Sequence, residues 1–378
     1  MKKKYYFTTC LLSLALLSAC SNQEEAGCPS CGESQETVAQ PYSVSFRLGG
    51  SVGTASRAVT QTDEEKALKS LYAVVFADAD ASKIPDGTAN KEADADLFVA
   101  AIPVDLTNYN KGETATQPNL SFVLGEQGNY NICFIANPSE QLTTQITSLT
   151  AEKKVSDFKA LVEETAPSLE SSFLMTSPFY AVTTAYGQTA TIGTVELTRA
   201  VARIDVVNKA DGVTVQKLVF HNYAHKTRLI SSDTPENAFS SDYIIPAQEY
   251  TPESGLKGSS DEDAQNNAYT GKIYTYEQYA ASSTGATGEE ASRPALEIIY
   301  SIPTTGQWFT HTVKFENAAA EEGQSTVVPL KRNNHYLVTL TNKGGNINFA
   351  LSVKDWDKGE IFNPAGSDFA EGTQLPQP

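Results

Sequence analysis

Residues 42–48 carry the clearest periodicity in the chain. Tyr42, Val44, Phe46 and Leu48 alternate with Ser43, Ser45 and Arg47, which predicts a half-buried strand with one apolar face. Gly49-Gly50 ends it. A loop over residues 51–59 follows, with Arg57 in its middle. Thr62 with Glu65 makes a capping box that opens a short helix through Leu71. Short apolar runs then predict strands over residues 72–76, 98–106, 120–124 and 130–136, with an acidic, Gly/Ala-rich loop over 78–96. Thr150 caps a predicted helix that carries Val155, Phe158, Leu161 and Val162 on one face. Pro167 closes that region, and runs over 173–178 and 190–197 complete the first half.

A second half opens at residues 197–206, where Ala202, Ile204 and Val206 share a face. Further strands are predicted over 213–220, 296–302, 309–315 and 336–340. The last has Ile347, Phe349, Leu351 and Val353 on one face, followed by Asp355-Trp356. Residues 231–293 are polar and rich in Gly, Ser and Asp. They are expected to form exposed loop around a short motif, Tyr274-Thr275-Tyr276-Glu277. Many short strands separated by turn signals argue for a mainly β fold of sandwich domains with a few short helices.

The N-terminus changes the picture. Lys2, Lys3 and Lys4 precede an apolar run that ends in Leu17-Ser18-Ala19-Cys20. A basic start, a short apolar core and small residues before the cut make a secretory signal rather than a membrane span. Cys at the boundary makes it a bacterial lipoprotein signal, residues 1–19, with Cys20 as the lipidated mature N-terminus. A diacylglyceryl group with an N-acyl chain meets the two-anchor requirement for stable membrane attachment. Residues 20–40 read as a polar tether.

The 378 residues leave room for two domains or one large β domain. A net charge of −17 would repel nucleic acid and anionic lipid, and neither is expected as a partner. Cys28 and Cys31 lack a second pair of zinc ligands and a βα context for redox chemistry. Cys133 falls in an apolar strand and is expected to be a buried thiol. The Asp78-x-Asp80-x-Ser82 spacing lacks the Gly and Glu of a calcium loop, with Lys83 and Ala89 in their places. No metal and no cofactor is expected. His221, His225, His311 and His335 form no zinc motif, and no nucleophile elbow, phosphate loop or dinucleotide fingerprint occurs. The chain does not read as an enzyme.

Five stretches together resemble the FimA/Mfa-type fimbrillins of Bacteroidetes, subunits of type V pili. They are the signal at Cys20, the Arg57 loop before a capped helix, residues 197–206, the turn Arg332-Asn333-Asn334-His335-Tyr336, and Val353-Lys354-Asp355-Trp356. The resemblance implies two tandem, transthyretin-like β-sandwich domains, 41–198 and 199–357, and a tail over 358–378. It implies an outer-membrane lipoprotein of the cell surface that assembles with other fimbrial subunits and serves adhesion. It also implies that a trypsin-like surface protease cuts between Arg57 and Ala58. The first strand, with Tyr42, Val44, Phe46 and Leu48, then departs, and another subunit's strand takes the groove. One feature departs from a stalk subunit. In the tail Ile361 and Phe362 are adjacent rather than alternating, and Pro364 and Gly366 weaken strand pairing. A tip, anchor or accessory subunit is therefore an alternative. A monomeric glycan-binding lipoprotein is another, with Tyr269, Tyr274 and Tyr279 as stacking aromatics.

Overall fold

The computed structural model describes residues 42–49, 63–78, 89–90, 94–107, 109, 119–170, 172–231, 243–261, 266–278, 293–317, 326–343, 346–356 and 361–362. All belong to one compact unit, Ala39–Pro378. Cys20, Cys28, Cys31, Arg57, Ala58, Thr62 and Tyr279 lie outside the described residues.

The first elements are β1 (Ser43–Leu48), α1 (Asp63–Lys66), β2 (Leu71–Ala77), β3 (Ala89–Asn90), β4 (Leu97–Pro103) and β5 (Leu120–Val123). Next come β6 (Asn129–Ala136), α2 (Glu140–Thr147), α3 (Val155–Lys159), β7 (Val162–Glu163), β8 (Met175–Thr183), β9 (Thr189–Val195) and β10 (Thr198–Arg199). The later part begins with β11 (Val201–Lys209), β12 (Thr214–Ala224), β13 (Thr227–Arg228), β14 (Ile244–Tyr250), β15 (Leu256–Lys257) and β16 (Ala268–Tyr276). It ends with β17 (Ala295–Ile302), β18 (Gln307–Lys314), β19 (Glu316–Asn317), β20 (Thr326–Val327), β21 (Asn334–Lys343), β22 (Asn346–Asp355) and β23 (Ile361–Phe362).

The four larger sheets sort by position in the chain. Strands up to Arg199 form the sheet β5-β1-β9 and the sheet β10-β8-β6-β2-β4, with β3 added on β8. Strands from Val201 onward form β16-β11-β21-β22-β23 and β14-β12-β17-β18, with β15 added on β12. One apolar cluster joins Val44, Phe46 and Leu48 to Val75, Ile132 and Phe134 across the first pair of sheets. Another joins Ile204 and Val206 to Leu218, Ile298 and Phe349 across the second pair.

A third cluster ties the halves together. The opposite face of β2 and β6, with Val74, Phe76, Cys133 and Ile135, packs on Leu142 and Ile146 of α2 and on Val155 and Phe158 of α3. Leu229, Tyr274, Tyr276 and Trp356 join it from the second half. Burial on both faces explains why β2 and β6 read as almost unbroken apolar runs while β1 alternates. A small sheet pairs Thr227 with Glu163 and Arg228 with Val162, again across the halves.

Several expectations are corrected. The helix after the Arg57 loop stops at Lys66, and Leu71 already belongs to β2. The helix near Val155 starts from Lys154, whose backbone N–H donates to Asp157 Oδ2 at 2.9 Å, so Thr150 does not open it. Val162 lies beyond it in β7. α2 was not foreseen. Ser139 caps it, with Leu142 N donating to Ser139 Oγ at 3.1 Å. Residues 231–293 are more than loop, since β14, β15 and the nine-residue β16 all lie there.

Candidate strand-exchange groove

β1 occupies the middle of its sheet. It pairs antiparallel with β5, from Ser43 opposite Val123 to Phe46 opposite Leu120. It runs parallel to β9, from Ser43 beside Thr189 to Leu48 beside Val195. Gly49 N extends the ladder by donating to Val195 O at 2.7 Å. β9 carries an extra residue opposite the centre of β1: Ser45 faces Thr191 and Phe46 faces Gly193. Gly193 sits at φ +84, a conformation that a side chain would strain.

The alternation turns Val44, Phe46 and Leu48 into the core, at 0%, 1% and 4% exposure. The Phe46 ring centroid lies 4.5 Å from Phe134 and 6.2 Å from Phe122. On the outer face Arg47 Nε donates to Asn119 Oδ1 at 2.7 Å. Tyr42 is partly buried against the same cluster but stands just before the strand, at φ 58. That value is strained for a bulky residue. Its carbonyl accepts from Leu124 N at 3.1 Å.

Downstream of residues 50–62, four of the stretches singled out in the sequence meet in one buried polar cluster. Glu65 of α1 is fully buried and accepts from Arg203 Nη1 at 3.0 Å and from Tyr274 OH at 2.6 Å. Its backbone carbonyl accepts from Arg199 Nε at 3.0 Å. Arg203 also forks onto Asp205, with Nη2 donating to Oδ2 at 2.8 Å. His335 Nε2 lies 2.8 Å from Asp205 Oδ2, and Gly271 N donates to Asp205 Oδ1 at 2.9 Å. Trp356 closes the cluster. Arg199 and Arg203 lie over its ring at 5.0 and 5.9 Å, and Tyr274 stacks on it.

Arg203 thus pairs with both buried carboxylates, Glu65 and Asp205, away from water, while Arg199 bonds the Glu65 backbone carbonyl and Asn333 Oδ1. Burial would raise the Asp205 pKa. Hydrogen bonds from His335 and Arg203, with their charges, more than offset it and hold Asp205 below the usual carboxylate range. Burial and the bond to Glu65 push the Tyr274 phenol up.

Other predicted residues fall as follows. Cys133 is buried, with Sγ donating to Ser177 O at 3.3 Å. His221 lies within β12 and pairs with Glu297 at 2.8 Å. His311 stacks on Phe349. Tyr274 is only 4% exposed, so it cannot stack on a sugar. Tyr269 is partly buried against Tyr250. A cavity of about 40 Å³ between Asn137, Glu163, Leu174 and Tyr276 has room for a water or two and none for a substrate. Among the described residues no group of three or more His, Cys, Asp or Glu is placed to hold a metal, and no helix is long and apolar enough to cross a membrane.

Residues 42–219 match the model of the FimA family, the major fimbrial subunit proteins. Solved structures share the fold. The tip fimbrial protein Mfa3 from Porphyromonas gingivalis, with a C-terminal truncation, aligns over 84% of this chain and 100% of its own at 16% identity and a TM-score of 0.51. A candidate cell adhesion protein from Parabacteroides distasonis aligns over 84% of this chain and 97% of its own, with 14% identity and a TM-score of 0.54. Another candidate cell adhesion protein, from Bacteroides eggerthii, aligns over 84% and 96%, with 13% identity and a TM-score of 0.50. No curated protein sequence matches the chain. The family model thus covers residues 42–219, and the solved structures show the fold.

Proposed function

We propose that this chain is a fimbrial subunit exported as an outer-membrane lipoprotein through Cys20. In this reading a trypsin-like protease cuts between Arg57 and Ala58, the first strand leaves, and the groove accepts a strand from another subunit. The observation that carries it is the position of β1. It is a central strand, and its covalent link to the elements that follow runs through residues 49–62. One cut in that stretch severs it covalently. Loss of Val44, Phe46 and Leu48 would then expose an apolar trough between two unpaired strand edges, β5 and β9. Such a trough is a template for strand addition. Three buried side chains of this kind contribute roughly 5–9 kcal/mol, so an empty groove strongly favours a replacement.

Residues 41–198 and 199–357 serve in this reading as the acceptor domain and its partner domain. A tip, anchor or accessory role is the second reading, and one observation favours it. Ile361 and Phe362 pair back onto Lys354 and Val353 of β22 in the same chain. Pro364 and Gly366 follow at once.

Brief trypsin treatment of protein starting at Ser21 tests the proposal. The Arg57–Ala58 bond should be among the first cut, Arg47 should resist within its sheet, and the remainder should stay folded. Cut subunits should form ladders that survive SDS without boiling. Early cutting at Arg47, or collapse of the remainder after the cut at Arg57, would contradict it.

A further inference from the structure

We propose that the Arg199–Arg203 cluster is a clamp. It holds both chain segments that strand exchange would leave under load: the helix just behind the cut and the base of the C-terminal tail. The inference rests on the reading that β1 is removed.

α1 has only four residues, Asp63–Lys66. A helix of that length does not stand alone in water. In the intact chain it is tethered on both sides, by β1 through residues 49–62 and by β2. A cut at Arg57 removes the upstream tether. The deepest attachment left to α1 is Glu65, whose carboxylate receives Arg203 and Tyr274 and whose carbonyl receives Arg199. All three partners belong to β10, β11 and β16. None belongs to β1 or its two neighbours, so the clamp survives departure of the strand.

The tail starts from the same cluster. Trp356 is fully buried at the end of β22, stacked on Tyr274 and under both guanidiniums. Its backbone N–H donates to Asn333 O at 2.9 Å, while Asn333 Oδ1 accepts from Arg199 Nη1 at 3.0 Å. Arg199 therefore bonds toward both segments at once. The tail pairs back through β23 onto Val353 and Lys354, so tension that peels β23 from β22 arrives next at this cluster, and the cluster passes it to α1.

The test imposes the cut rather than relying on a native protease. In the full chain, residues 52–57 are replaced by the recognition sequence of a site-specific protease. Amide hydrogen exchange is followed before and after cleavage and release of β1. Without further change, residues 63–70 should stay protected after the cut. Glu65→Gln and Tyr274→Phe should each match that protection before the cut and exchange at least tenfold faster after it. Arg199→Lys should speed exchange at both 63–70 and 353–356. Unchanged exchange in both single variants after the cut would overturn the clamp, as would equal acceleration before and after. Acceleration at only one of the two segments in Arg199→Lys would overturn its shared character. Native chains that are never cut at Arg57 would refute the reading beneath the proposal and leave this result standing.

Discussion

Phe46 anchors β1 in the core, its ring set between Phe134 of the facing sheet and Phe122 of the neighbouring strand. Phe46→Ala should cost about 3–5 kcal/mol in denaturant unfolding. Arg47→Ala, one residue on and exposed, should stay within about 0.5 kcal/mol. After the cut and release of the strand, the two variants should unfold alike, since neither residue remains. Asp205 gives a second test. Folding favours its ionised form, because His335, Arg203 and the Gly271 amide all bond it. That contribution is present above about pH 4, the unfolded value, and is lost as pH falls through the lower folded value. Asp205→Asn should therefore be less stable at neutral pH and show a flatter loss of stability below about pH 4. An acid limb as steep as that of the unmutated chain would show that Asp205 is not held ionised. Arg203→Met leaves Glu65 and Asp205 buried without their cation and should cost about 3–5 kcal/mol.

Among the elements, β9 sets the groove's register through its bulge. A Cβ at Gly193 would meet no atom within 4 Å, so the penalty there is purely conformational. Gly193→Ala should cost about 1–2 kcal/mol and, more tellingly, weaken rebinding of a synthetic peptide spanning residues 42–48 to the strand-free chain. Unchanged rebinding would mean the bulge does not set the register. The elements that were legible in the sequence share one property: one face is buried and the other wet, as in β1 and in β22 with Ile347, Phe349, Leu351 and Val353. Alternation reports that state directly. β16 was hidden because it is an edge strand, and its Tyr274 and Tyr276 are buried in a cluster drawn from both halves of the molecule, Phe173 and Trp356 among it. α2 was hidden because only Leu142 and Ile146 mark its inner face. Glu65 read as a helix cap, but its partners are more than a hundred residues away in sequence, and no local pattern announces such a contact.

For the whole molecule, four of the five stretches that looked independent in the sequence meet in one place. Residues 197–206, the turn at Arg332–Tyr336, the end at Trp356 and the helix behind Arg57 converge on the same buried charges. That convergence explains why they occur together in this chain. In this reading the first pair of sheets supplies the groove and, through Arg199 of β10, part of the clamp, while the second supplies Arg203, Tyr274 and the tail. If the accessory reading holds, deleting residues 358–378 should leave the strand-free chain able to bind the 42–48 peptide but should not abolish ladders formed with other subunits. Loss of all ladders on that deletion would instead make the tail the donor. Mass spectrometry of the N-terminus of subunits sheared from the surface of the native cells bears most directly on strand exchange. The account predicts chains that begin at Ala58, carry no lipid and lack residues 42–48. Subunits within fibres that begin at a lipid-modified Cys20 and retain β1 would contradict it.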